Sequence, residues 1–239
     1  MRNLLFVFFF SLNLSAFGQI DTVKHVLGKV QYADESDFVL IPETHASRSG
    51  MYLRKEVLAA FKKMHESAQK DGISLKIVSA ARNFNHQKRI WEAKWNGTRK
   101  VSGLRLNESI PDPAKRAKKI LLYSSMPGTS RHHWGTDIDI NSVNPSYFET
   151  KAGQREYEWL RKNAADFGFC QTYTKKGSDR PNGYEEEKWH WTYTPTSILF
   201  LNYYGRMISG DKISGFDGSD ALPFDEVKKY VFGVSSNCK

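Results

Sequence analysis

Three of the seven histidines stand where chemistry could be done: His132, His133 and His190. In the segment Ser130-Arg131-His132-His133-Trp134-Gly135-Thr136-Asp137-Ile138-Asp139, His132 and Asp139 lie seven residues apart across a glycine. A loop can deliver the histidine while the strand after it aims the carboxylate at the same point. Further on, Glu187-Lys188-Trp189-His190 sets a glutamate and a histidine three residues apart. Two imidazoles and a carboxylate are the donor set that a catalytic zinc uses while keeping a fourth position for water. A nearby glutamate that is not a ligand would take a proton from that water and return it to a leaving amine. Taken singly, each half has an ordinary explanation. A histidine on a strand is commonly a hydrogen-bonded structural residue, and Glu187 closes an acidic run, Glu185-Glu186-Glu187, of the kind that faces solvent. In order along one chain, the two halves reinforce each other.

Those side chains need elements to aim them. Thr136, Ile138 and Ile140 alternate with Asp137 and Asp139, which predicts a strand with a buried apolar face and an acidic face turned toward something polar. Trp189, Trp191 and Tyr193 alternate with Lys188, His190 and Thr192, a second strand on which His190 faces away from both tryptophans. Upstream, Leu53, Val57, Leu58, Phe61, Met64 and Ala68 mark a helix that ends before Asp71-Gly72. A strand from Ile73 to Ser79 then runs into Ala80-Ala81-Arg82, followed by a helix from Asn85 to about Trp95. Tyr157, Leu160, Ala164 and Phe167 form a further helical stripe that stops at Gly168. Residues 96–128 are rich in Gly, Pro, Ser, Lys and Arg and read as an excursion from the core. Within them Asp112 and Pro113 suit the start of a short helix. A C-terminal extension from about residue 197 carries Ile198, Leu201 and Tyr204, then a short helix near Phe224 to Tyr230. Helices and strands in mixed order, with no internal repeat, predict an α+β domain: a small mixed or antiparallel sheet with flanking helices.

The 239 residues suit one domain, and 40% hydrophobic content excludes a disordered chain. Six Trp and eleven Tyr suggest a cleft lined by rings. A net charge of +9 fits nucleic acid, an anionic membrane surface or an anionic polymer such as a cell wall. Arg2, the apolar run Leu4 to Leu12 and the small residues of Ala16-Phe17-Gly18 predict a cleaved signal peptide over residues 1–18. The mature chain would then be 19–239, periplasmic or secreted, without nucleic acid as a partner. No later run is long and apolar enough to predict a membrane span. Much of the positive charge sits in 96–128, where Arg99, Lys100, Arg105, Lys115, Arg116, Lys118 and Lys119 face only Glu108 and Asp112. That charge reads either as attraction to a carboxylate-bearing wall or as a merely solvated face. Cys170 and Cys238 permit one disulfide in an oxidising compartment; the alternative is that Cys170 is a small buried hydrophobe. Neither has a Cys or His neighbour at metal spacing.

The pattern Ser-x-His-x-x-Gly-x-x-x-Asp, followed downstream by Glu-x-Trp-His, resembles the zinc D-alanyl-D-alanine peptidases of the VanY and VanX type. These share the hedgehog/DD-peptidase fold. Ser79 to Arg82 with Gln87 beyond is similar to the family's Ser-x-x-Arg-x-x-x-x-Gln element. Glu158-Trp159-Leu160, Asn163-Ala164 and Phe167-Gly168-Phe169 are similar to its Trp-Leu, Asn-Ala, Gly-Phe helix. The likeness covers roughly residues 50–195, with 96–128 outside it.

The resemblance implies one catalytic zinc held by His132, Asp139 and His190, Glu187 as catalytic base, and Arg82 stabilising the developing oxyanion. It places Ser130 and Gln87 near the substrate, a peptidoglycan stem peptide. Asp137 occupies a position usually small and apolar, where it would either orient a ligand imidazole from behind or pair with a basic neighbour. His133 is assigned to substrate contact or to structure, and not to the metal. Thr192 stands where many relatives carry a basic residue, which puts carboxylate recognition in doubt. The implied activity is D,D-carboxypeptidase. L,D-carboxypeptidase, endopeptidase and a non-catalytic zinc-containing binding domain stay open, and the retained Glu187 favours an enzyme.

Overall fold

Two periodicities, three-to-four residues and two residues, decide most of the elements in the computed structural model, which describes residues 22–239. The predicted signal peptide, residues 1–18, lies outside them. In chain order the elements are α1 (Thr22–Val26), β1 (Phe38–Leu40), β2 (Tyr52–Arg54), α2 (Lys55–Lys70), β3 (Ile77–Ser79), α3 (Phe84–Trp95), α4 (Leu106–Ser109), α5 (Pro113–Ile120), β4 (Asp137–Ile140), α6 (Lys151–Asn163), β5 (Phe169–Gln171), β6 (His190–Tyr193), α7 (Thr194–Met207) and α8 (Phe224–Phe232). Strands β1 and β2 form a hairpin, and the other four form an antiparallel sheet in the order β3-β4-β6-β5. This is the expected α+β arrangement.

Local chemistry sets the boundaries. The Asn83 side chain caps α3 by accepting from the His86 N–H at 2.9 Å. Asp112 does the same for α5 through Lys115 at 2.8 Å, with Pro113 in the first turn. Helix α6 tightens into a 3-10 turn, Ala164–Phe167, that closes on Gly168 at φ 81°. Strand β3 starts at Ile77, later than the alternation from Ile73 predicts. The Ile73 N–H bonds back to the Ala68 carbonyl at the end of α2, and the Lys76 N–H goes to the Asn141 side chain, so neither is free to join a ladder.

Two apolar cores flank the sheet. In the first, Val57, Leu58, Phe61 and Met64 of α2 pack with Ile77, Ile138, Ile140 and Trp191 of the sheet and with Trp159 and Leu160 of α6. Each such side chain contributes about 1.5–3 kcal/mol on burial. The second core joins Trp91 and Trp95 of α3, Leu106, Ala117 and Ile120, Leu201 and Tyr204 of α7, and Val227 and Val231 of α8. Residues 96–128 therefore do not form an excursion. Their apolar positions build one wall of this second core, and Lys118 pairs with Glu226 of α8 at 3.0 Å. Most tryptophans fill the cores and do not line a cleft. Among the described residues no helix is long and apolar enough to cross a membrane.

A disulfide joins Cys170 of β5 to Cys238, fully buried near the C-terminus, and so settles the pairing that the sequence leaves open. It closes a loop of 68 residues. Cys238→Ser is expected to lower the free energy of unfolding by about 2–4 kcal/mol, read from urea titrations. A variant as stable as its parent would show that packing alone holds the tail.

Candidate active site

The alternation of β4 sends Ile138 and Ile140 into the first core and turns Asp137 and Asp139 to the opposite face, where both are buried. Asp139 is the cross-strand partner of His190 on β6, and Asp137 that of Thr192. His132 arrives from the 3-10 turn Arg131–Trp134. That turn can double back into β4 because Gly135 adopts φ 69°, and a Cβ there would meet the Phe38 ring at 2.3 Å.

The His132 Nδ1–H donates to the Ala80 carbonyl at 2.8 Å, so the Nε2 lone pair faces Asp139 Oδ1 at 3.4 Å. His190 donates from Nε2 to Asp137 at 2.9 Å and turns Nδ1 toward the same Asp139 oxygen, also at 3.4 Å. His132 Nε2 and Asp139 Oδ1 are buried and lack hydrogen-bond partners. A tetrahedral ion with bonds of about 2.0–2.2 Å sets its ligands about 3.4 Å apart, so these orphaned atoms have the spacing and the donor chemistry that zinc takes. Among the described residues these three side chains form the one group with metal-holding geometry.

The charges agree. Burial, and then Arg82, lower the His132 imidazole, which keeps it neutral. Burial opposes ionisation of Asp139, but His132, His190 and Arg82 outweigh it and hold the carboxyl at about 2. Burial would also lower His190; the Asp137 and Glu187 carboxylates outweigh it and raise it to about 9, and a cation on Nδ1 would displace that proton. Glu187, in the loop before β6, places Oε2 3.1 Å from His190 Nδ1. Burial raises its carboxyl.

These groups open on a cleft of about 680 Å³ that Arg82, Lys94, His132, Asp139, Glu187 and His190 line. Arg82 Nε is buried without a partner. Rings in the cleft come down to Tyr123 and Trp189. Gln87 lies in a narrow recess behind the cleft, its Nε2 donating to the Ser125 carbonyl. Ser130 lines neither; it is buried with its hydroxyl unpartnered.

Of the two readings left open for His133, the structure favours the structural one over substrate contact. The side chain is fully buried, its Nδ1–H donates to the Arg82 carbonyl, and its Nε2 accepts from the Gly128 N–H at 3.0 Å. With both nitrogens spent on backbone, it is structural and does not face substrate. Asp137 makes a contact of each kind the sequence suggested: it receives His190 Nε2 at 2.9 Å and pairs with Arg131 Nε at 3.0 Å. Arg131 was not foreseen. Neither was Lys94, although it lies seven residues after Gln87, two turns along one helix face, which is a readable signal.

Residues 50–196 match the family profile described as VanY, D-alanyl-D-alanine carboxypeptidase. The chain belongs to the VanY family. It is 32% identical over 148 residues to the Bacillus subtilis protein YodJ, a carboxypeptidase by name, over 59% of this chain and 46% of that protein. It is 26% identical over 130 residues to a D-alanyl-D-alanine carboxypeptidase of Enterococcus faecalis, over 54% of this chain and 44% of that one. The chain thus spans under half the length of these two curated relatives. Among solved structures, the LdcB LD-carboxypeptidase superposes with a TM-score of 0.52 at 24% identity, covering 84% of this chain and 81% of that chain. A mutant of the vancomycin resistance D,D-pentapeptidase VanY, in complex with Zn(II), gives 0.50 at 22% identity, covering 80% and 91%. At these identities the two structures speak for the VanY fold.

Proposed function

We propose that this chain is an exported zinc metallocarboxypeptidase that hydrolyses the terminal peptide bond of peptidoglycan stem peptides, in the D,D-carboxypeptidase manner. The observation that carries the reading is the 3.4 Å spacing from Asp139 Oδ1 to His132 Nε2 and to His190 Nδ1, beside Glu187 in an open cleft. Zinc held by these three residues supplies a Lewis acid that acidifies water and polarises a peptide carbonyl. Glu187 accepts the proton of the attacking water and delivers it to the nitrogen of the departing residue. Its burial suits both halves of that exchange, because a carboxyl raised by desolvation gives up a proton less readily to bulk water. Arg82 stands ready where negative charge builds on the carbonyl oxygen. Asp137 and Arg131 keep the His190 ring in one orientation. Gln87 contacts the departing residue from the recess. The run Arg2 to Gly18 and a buried disulfide both support action outside the cytoplasm.

Two measurements test this together. Metal analysis of purified protein is expected to find one zinc per chain, and mass spectrometry of muropeptides to find pentapeptide stems shortened by one D-alanine. Trimming of tetrapeptide stems would assign L,D-carboxypeptidase activity in place of D,D, and opened cross-links would assign an endopeptidase. A chain without zinc, or a zinc-loaded chain that changes no muropeptide, would defeat the reading.

A further inference from the structure

The cleft carries more positive charge than the reaction above uses. Arg82, Lys94 and Arg99 line it, while its only lining carboxylates are Asp139, a candidate ligand, and Glu187, the base. Lys94 sits half-buried in the last turn of α3, and its Nζ donates to the Ser124 hydroxyl. Among the described residues it has no carboxylate partner. Burial, and then the Arg99 guanidinium, pull its ammonium down to about 8. A half-buried cation thus has no carboxylate in ion-pair contact, and Glu187 attracts it without touching it.

Its position says which anion would fit. Tyr123 and Ser124 belong both to the cleft and to the recess behind it, where Arg82, His132, Glu187 and His190 recur. Lys94 therefore stands on a wall shared with the groups that serve the reacting bond. In a terminal residue the departing nitrogen and the carboxylate are joined through one α-carbon. The group that protonates the nitrogen and the group that anchors the carboxylate must accordingly sit side by side. Thr192, where a basic residue would have been the natural anchor, is out of reach: it is buried, donates to Asp137 at 2.7 Å and accepts from Arg131 at 3.0 Å.

We propose that Lys94, steadied by Ser124 and backed by Arg99, binds the terminal carboxylate of the substrate and so selects chains that end at the residue being removed. This rests on the carboxypeptidase reading of the same cleft. The test uses the zinc-loaded protein with N-acetyl-D-alanyl-D-alanine and its C-terminal amide. Binding is measured calorimetrically in a Glu187→Gln background, and turnover in the parent. Lys94→Met is expected to weaken binding of the free acid about 10- to 100-fold and to leave binding of the amide unchanged. In the active protein the same change should raise KM with little effect on kcat. Zinc content should be unaffected, and Lys94→Arg should recover part of the loss. Equal weakening of acid and amide would overturn the proposal. So would a loss that follows the third stem residue, seen by comparing stems with diaminopimelate and with lysine there, because the carboxylate read would then be a side chain. Acid-selective binding that depends on Lys94, in a parent that turns nothing over, would uphold the subsite and defeat the catalytic reading instead.

Discussion

Glu187→Gln is expected to bind zinc at the parent stoichiometry and to lose turnover by about 100- to 10,000-fold, the range that removal of a positioned general acid and base costs. The amide matches the carboxylate in shape, so the cleft should survive the change. What would disappear under the proposed mechanism is the capacity to take a proton from water and hand it to the departing nitrogen. The side chain lies 3.1 Å from His190 Nδ1 but outside the group of three with ligand spacing. A ligand and a base therefore predict opposite results for metal content. Zinc lost from Glu187→Gln would make it a ligand, and undiminished turnover would remove it from the mechanism. His132→Ala supplies the contrast: it deletes one of three donors and should cost zinc and activity together.

The second large effect concerns stability. Arg131 and Asp137 have side chains with no exposure, and Asp137 gathers four donors: Arg131 Nε at 3.0 Å, His190 Nε2 at 2.9 Å, and the hydroxyls of Thr136 and Thr192, each at 2.7 Å. Burial alone would raise the Asp137 carboxyl, yet Arg131 and His190 hold it far below the ordinary carboxylate range. Arg131 also lies over the Trp134 ring at 4.4 Å. Arg131→Met is expected to destabilise the protein by about 3–5 kcal/mol, because it strands a buried carboxylate. Urea unfolding at neutral pH checks this. Arg131→Met combined with Asp137→Leu should recover much of the stability, since the unpaired charge is gone. The double variant should still bind zinc more weakly than the parent, because nothing then fixes the His190 ring. If Arg131→Met unfolds like the parent, the pair is not what holds this face of the sheet together.

Asp137 and Thr192, which the resemblance singles out separately, are neighbours in the fold. They are fifty-five residues apart in sequence, directly opposite each other on β4 and β6, and hydrogen-bonded. Read singly, Thr192 looked like a missing cation. In the fold, the cation beside it is Arg131, six residues before Asp137.

Short-range pattern was enough for the strongest statements. The seven-residue step from His132 to Asp139 and the three-residue step from Glu187 to His190 fall on two strands whose alternation is plain in the chain. A period of two is set by the backbone itself, so the face on which Asp139 and His190 lie was readable before any partner strand was known. The stripe on α2 was readable for the same reason.

By itself, then, the sequence determined the ligand candidates, the candidate base, the faces of the elements that carry them and the α+β class. Tertiary structure alone decided what covers each face. It put residues 96–128 against α7 and α8 as a second core, where local composition suggested an excursion. It turned His133 inward onto the Arg82 carbonyl, fifty-one residues away, joined Cys170 to Cys238, and brought Lys94 to the cleft beside Ser124. The physical reason is that backbone geometry transmits orientation over a few residues only, whereas burial and pairing depend on surfaces that meet after the chain has closed loops of thirty to one hundred residues.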